Sequence, residues 1–573
     1  MQFARDTWWD ALLAFYSLEK DPSLRHTQTP AITSDQRNTA LQHIIADLRA
    51  LFHSAATWMS FIHLPRFFEQ LLDPSRRARM QPCLVLSALA LGTLAQSSEV
   101  EKGKRGRHRA IKLVDMAHGA LQSSLATGWV EVGLAQAASL LLYFEINLHP
   151  AQTWEQTHST MFLLDSLIRL FSLTTIDAGH PSPTGMSGID AGFHSMPPPA
   201  LPSNAAAAAL VIPTASSTRP TGIGIPPMQQ HPQHWESLFA PCGLKQSFFD
   251  ATAAQSHSSY SAVAHPNAAE TVTIPTAATA HSILNSAPRV QRGCNCQLFS
   301  MQNAWPTVKE LSPTWAEALM WPANLSEAEL CKEECRRLVW GSVMMVANMN
   351  AYAGIIPSRV AQMRGIFVQE HEHFSLLTPS EMLVSTGMPL QNDDIWSLNL
   401  RAMRLLQSCL RVRTCPTMSG AQRAEFAVRA WLQIDDLEER MERHTCGLST
   451  NYGFQSTEML FSLRLCVSYE FQRFIPQITT AGNVLFYRDK AEAWIRHLSI
   501  NVEEVNQALR AGEQGGPELG HRKALFVFWF LSGIKTCLTL WEADPTLALA
   551  LTAACQTAAY LEHFLLVWPS DRT

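Results

Sequence analysis

CKEECRRLVWGSVMMVANMNAYAG, Cys331 to Gly354, decides the reading of the fold. Just upstream, Ser326 followed by Glu329 forms a capping box, the mark of a helix start. Glu333 then stands three and four residues before Arg336 and Arg337, so on a helix it reaches both, acid before base, the favourable order. The apolar residues that follow, led by Trp340, continue without glycine or proline clusters. The stretch predicts a long helix with a salt-bridged start that sets the Trp340 face against a core. Glu333, Glu334, Arg336 and Arg337 read as structural: arginine is a poor general base and no nucleophile accompanies it.

Outward from this helix the same pitch recurs. Leu41, Ile44, Ile45, Leu48, Leu51 and Phe52 fall on one helical face. Cys83–Gln96 predicts a nearly all-apolar helix, and helices are expected over Leu113–Leu125, Val130–Leu148 and Trp154–Ser172. Downstream they are expected near Asp394–Arg411, Ala421–His444, Ser456–Ile475 and Arg488–Arg510. Asp544-Pro545 reads as cap and first turn of a last helix running to about Val567. Alternation of period two is sustained nowhere, and Asn-Gly or Asp-Gly hairpin turns are absent. The expectation is an all-α fold in two helical halves, 1–178 and 291–573, packed into one body.

Between them, 179–290 is of another kind. It holds 15 of the 32 prolines, and only seven residues from Pro181 to Val290 are charged. A segment rich in Pro, Ala, Ser, Thr and His buries too little surface to offset its chain entropy, so it reads as a disordered insert. Trp235–Phe249 is an apolar island within it, expected to dock locally or to fold on a partner.

Composition bounds the function. The 573 residues allow two or three domains or one helical array. A net charge of −5 argues against autonomous grip on duplex DNA, which takes a basic face. The start, MQFARDTWWDALLAFYS, does not read as a signal peptide, and the 12 cysteines read as reduced and mostly buried. The strongest apolar run, Ala524–Ile534, is too short for the roughly 20 residues a bilayer needs, so no membrane partner is expected. No phosphate-binding glycine loop, dinucleotide fingerprint or GxSxG elbow occurs.

The basic run EKGKRGRHRAIK, Glu101 to Lys112, carries Lys102, Lys104, Arg105, Arg107, Arg109 and Lys112. It reads as a solvated loop between helices, or as a nuclear import or phosphate-binding patch. Asp435, Asp436 and Glu439 could hold magnesium in a helical enzyme acting on an apolar or diphosphate substrate. That chemistry needs a second ligand segment; Asn501–Glu504 comes nearest but lacks the hydroxyl residue, and Arg440 and Arg443 point to an ordinary solvated face. Cys294-Asn295-Cys296, Cys331 with Cys335, and His371-Glu372-His373 form no convincing paired metal motif, and no metal or cofactor is expected in this chain.

The Cys331 segment also resembles the acid–acid–x–basic–basic stretch of fungal-specific transcription factor domains, the helical regulatory half of binuclear zinc-cluster regulators. TWWDALLAFYS (Thr7–Ser17), ATGWVEVGLAQAASLLLYFE (Ala126–Glu145), RAWLQIDDLEERMERHTCGL (Arg429–Leu448), LRLCVSYEFQRFIP (Leu463–Pro476) and KALFVFWFLSGIKTCLTLWEADPTLALAL (Lys523–Leu551) extend the resemblance over nearly all the chain outside the insert. Such regulators normally open with six cysteines holding two zinc ions. Here the first cysteine is Cys83, so the family's DNA-binding residues map to no position. The resemblance implies regulation of RNA polymerase II transcription in the nucleus. It implies co-regulator proteins or the transcription machinery as partners, a dimer as one assembly, and DNA contact only through a module absent here. Zinc would enter only with that module. Trp340 and Phe526–Phe530 are expected in the core rather than around an effector.

Overall fold

A computed structural model describes residues 2–18, 33–179, 294–353, 375–391, 393–414, 417–446, 448, 458–468, 488–513 and 524–569. Most of the expected insert, its apolar island included, lies outside the described residues, as do His371-Glu372-His373 and the far end of the Ser456–Ile475 helix. Among the described residues there is no strand, only an isolated bridge between Ser300 and Leu319. The fold is all-α.

The first half comprises helices α1 (Gln2–Leu18), α2 (Ser34–Ser54), α3 (Leu64–Leu72), α4 (Pro82–Ala95), α5 (Gly103–Ala126), α6 (Gly133–Glu145) and α7 (Trp154–Leu170). The second has α8 (Glu327–Ala353), α9 (Pro379–Ser385), α10 (Ile395–Thr414), α11 (Gly420–Glu442), α12 (Arg488–Glu513), α13 (Phe526–Ala543) and α14 (Ala548–Val567). Shorter helical pieces fill 296–317, and 458–468 is helical.

Helix α4 is the axis of the first half. Every one of its residues is buried, as its predominantly apolar sequence requires, with Ser87 and Thr93 the buried polar ones. It packs against α2, α5 and α6. Gly92 permits this: a Cβ there would sit 1.9 Å from the Asp47 carbonyl oxygen on α2. Helix α8 does the equivalent for the second half, packing on α10, α6 and the 3-10 turn Thr57–Met59. A Cβ at Gly341 would lie 2.2 Å from the Trp58 carbonyl oxygen, so only glycine allows this crossing. One hydrophobic core draws from both halves, from Leu12 to Trp568. Trp340 lies within it, its indole N–H donating to the Leu377 carbonyl at 2.8 Å. Val527, Trp529 and Phe530 are buried there too, with Phe526 packed at its edge. A smaller core gathers Cys296, Phe299, Leu319, Leu383, Leu390, Ile395, Trp396, Cys446 and Leu448.

Two expectations are corrected. The basic run is helix rather than loop, since α5 begins at Gly103, ten residues before the expected start. Asp544-Pro545 does not open the last helix. Asp544 closes α13 and accepts from the Thr546 N–H at 3.0 Å and hydroxyl at 2.6 Å, a side-chain turn, and α14 starts at Ala548. The Ser326–Glu329 capping box stands as read, with both reciprocal bonds formed.

Glu458 is buried beside Trp529, whose indole N–H donates to it at 3.2 Å. Burial pushes its carboxyl up to about 7, the indole bond opposing only in part. The folded state therefore holds a proton that the unfolded chain releases near pH 4.5. Stability falls as pH rises from there to about 7 and then levels, a loss of about 3 kcal/mol. Glu458→Gln keeps an acceptor for Trp529 and removes this slope. Melting curves should match wild type at pH 5 and exceed it at pH 8; parallel pH dependence in the two proteins would disprove the assignment.

Candidate functional site

The Glu333–Arg337 segment forms an ion joint between the halves. On the first turns of α8, Glu333 accepts from Arg336 and, at 2.7 Å, from Arg337, the pairs that helical spacing foretold. The partners from the first half were not legible. Asp177 takes a two-pronged bond from Arg336, Nε at 2.9 Å and Nη2 at 2.7 Å, and also accepts the Leu377 N–H at 3.0 Å. Arg66 on α3 pairs with Glu334, which also accepts the His63 N–H at 3.3 Å. Arg337 also donates from Nη1 and Nη2 to the Leu319 and Met320 carbonyls and lies 4.2 Å from the Trp321 ring centroid.

This joint is buried rather than solvated. Glu333 is 0% exposed, Arg336 2% and Arg337 5%. Burial pushes the Glu334 carboxyl above its ordinary range even with Arg66 opposing. Burial, with Arg66 and Arg337 nearby, pushes His63 down to about 3, so it stays neutral. Its Nδ1 caps α3 by accepting the Arg66 N–H at 3.4 Å. Beside the joint, a cavity of about 60 Å³ touches Trp58, Trp340, Met344 and Trp396. That is room for a water or two, which fits Trp340 as a packing residue.

The basic run splits into two faces of α5. Lys102, Arg107 and Arg109 turn to the body. Lys102 donates to Asp47 at 2.9 Å, and Arg109 lies 3.7 Å from the same carboxylate and 4.3 Å from the Tyr16 ring centroid. Arg107, buried, bonds the Ser97 carbonyl at 2.9 Å and Glu99 at 2.6 Å. Lys104, Arg105 and Lys112 are exposed. Asp47 is the residue the sequence hid. Buried on the otherwise apolar side of α2, it also accepts from Tyr16 at 2.9 Å, Thr93 at 3.3 Å and Gln96 at 3.1 Å. Burial pushes its carboxyl up, but Lys102, Arg109 and Tyr16 outweigh that and hold it low.

The acidic set of α11 is matched by arginines. Asp435 pairs with Arg464 at 2.6 Å, Asp436 with Arg440 at 2.9 Å, and Glu439 with Arg443. Asn501–Glu504 lies on α12, where Glu503 accepts the Tyr560 hydroxyl.

A fourth grouping arises only in three dimensions. Cys294 and Cys296, just after the insert, meet His444 and Cys446, just after α11. One ligand atom from each lies within 4.8 Å of all the others. His444 Nδ1 is 3.6 Å from Cys296 Sγ and 3.9 Å from Cys446 Sγ, while its Nε2 is 2.7 Å from the Asp393 carbonyl. A carbonyl only accepts, so in the neutral ring that contact puts the proton on Nε2, and the Nδ1 lone pair then faces the sulfurs. Asn295 ties the cysteine turn to the Pro389 carbonyl at 2.9 Å. The Cys296 hydrogen bond, with His444 next to it, holds the Cys446 thiol well below its ordinary range. The adjoining cysteines raise His444 to about 9. Read locally, Cys-x-Cys and His-x-Cys are each one pair, and 147 residues separate Cys296 from His444. The shared one-residue spacing was the available signal.

Comparison with known proteins adds no relative: no family model, no curated protein and no solved structure matches the chain.

Proposed function

We propose that this chain is the regulatory domain of a zinc-cluster-type transcription regulator, acting in the nucleus on RNA polymerase II transcription through protein partners. The observation that carries the reading is the Glu333–Arg337 segment. It resembles the family's acid–acid–x–basic–basic stretch, and its charges are spent on joining two halves of one helical body rather than on a substrate. In this reading a ligand or partner favours one packing of the helical body and so exposes or hides an activating surface. Asp435, Asp436 and Glu439 pair with arginines at exposed positions, the arrangement of an ordinary solvated helix face, and this favours the regulatory reading over the magnesium-dependent enzyme.

The test is a fusion of this chain to a DNA-binding domain of known site, read on a reporter gene. The fusion should change transcription several-fold over the DNA-binding domain alone, while the purified chain should give no site-specific DNA shift at physiological salt. A silent fusion, or magnesium-dependent turnover of a prenyl diphosphate lost in Asp435→Ala/Asp436→Ala/Glu439→Ala, overturns the proposal.

The two faces of α5 give a second test. Replacing exposed Lys104, Arg105 and Lys112 with alanine should lower the nuclear fraction of a fluorescent fusion while leaving melting within about 0.5 kcal/mol of wild type, as surface changes do. An unchanged nuclear fraction removes this run as the import signal.

A further inference from the structure

We propose that Cys294, Cys296, His444 and Cys446 hold one zinc ion as a closed structural site that locks the start of the second half to the end of α11. A tetrahedral zinc takes thiolate sulfur at about 2.3 Å and imidazole nitrogen at about 2.0–2.1 Å, which places its ligands about 3.5–3.8 Å apart. The separation of 3.6 Å from His444 Nδ1 to Cys296 Sγ falls in that range, the 3.9 Å to Cys446 Sγ lies just beyond it, and all four ligand atoms lie within 4.8 Å, so a small contraction around an ion closes the group. Three sulfurs and one imidazole suit zinc among the common divalent ions, and four protein ligands leave no open position for catalysis.

The surroundings fit as well. The Nε2–H bond to the Asp393 carbonyl is the outer contact that orients a metal-bound imidazole. The Asn295 bond to Pro389 fixes the turn that brings Cys294 and Cys296 to the same side. Cys296 and Cys446 belong to the small second core, which has few residues to hold it together. Small cores of this kind gain most from a metal clasp. Binding displaces the thiol protons: three thiolates and a neutral imidazole around the dication leave a site of net charge −1. No redox change is involved, and the site is independent of the six-cysteine module named above.

Untagged full-length chain, purified under reducing conditions, is analysed by elemental mass spectrometry. The expected result is about one zinc per chain. Removal and replacement with cobalt should give the visible bands of a tetrahedral centre with sulfur-to-cobalt charge transfer from three thiolates. Cys446→Ser and, at the more open position, Cys294→Ser should lose the metal at least tenfold. Cys555→Ser, at an exposed cysteine outside the group, should keep it. Reduced wild-type chain without zinc or cobalt affinity overturns the proposal. So does a disulfide between Cys296 and Cys446 as the state that the metal-free reduced protein reaches on oxidation while never binding either ion. Metal retained at wild-type level in both serine variants places it elsewhere and also overturns the site. If the variants fail to fold, the wild-type cobalt spectrum decides: octahedral bands without sulfur charge transfer refute the assignment.

Discussion

Arg336→Met destabilises the folded chain by about 3–5 kcal/mol, the cost of removing one partner from a buried ion group. The methionine fills most of the volume, so packing loss is minor. What remains is Asp177, left among the described residues with the Leu377 N–H, and Glu333, left there with Arg337, both shut away from water. Denaturant unfolding measures the loss directly. Adding Asp177→Leu should return part of it, because an apolar pair in place of a buried ion pair is often neutral or stabilising. A loss under about 1 kcal/mol would mean that the joint is wet and weak, as exposed salt bridges are.

Asp47→Ala comes second, at about 3 kcal/mol. Five groups converge on this carboxylate, but they do not suffer equally. Lys102 is 36% exposed at its side chain and can turn to water, whereas Tyr16 and Thr93 lose a buried acceptor outright. The acid dependence follows from its lowered carboxyl. A group held low in the folded state stabilises above its unfolded value of 3.8 and loses that contribution as pH falls through the folded one. Wild type should therefore lose stability on acidification below pH 4 and Asp47→Ala should lose less. The difference between the two melting curves is the measurement, and a constant difference through that range refutes the assignment. Lys102, released from Asp47, would also extend the exposed basic face of α5, so the variant links stability to any import or phosphate role of that run.

How far the chain could be read depends on where the information sits. Helix α4 was legible because a run with no charged residue and few polar ones has no solvent face to offer, and the Ser326 cap because both partners lie three residues apart. The start of α5 was missed: Gly103 and Gly106 among cations look like a loop, yet Gly106 is there because a Cβ would meet the Ser97 hydroxyl at 2.4 Å. Asp544 misled because an aspartate that caps a helix and one that closes a turn use the same oxygen on the same kind of N–H. The i,i+3 and i,i+4 pairs of Glu333 were visible from spacing; Asp177 and Arg66 were not, since local periodicity says nothing about which residue a distant half presents. Asp47 and the Cys/His group share that cause.

Arg336 to Asp177, Glu334 to Arg66, and the Trp315 indole N–H to the Ala56 carbonyl at 3.0 Å all run between the chain before the insert and the chain after it. Together with the shared core, these bonds would hold the two pieces even if the peptide backbone between them were cut. Association of the pieces is thus built into the interior surfaces themselves, and covalent continuity serves delivery of the pair rather than its cohesion.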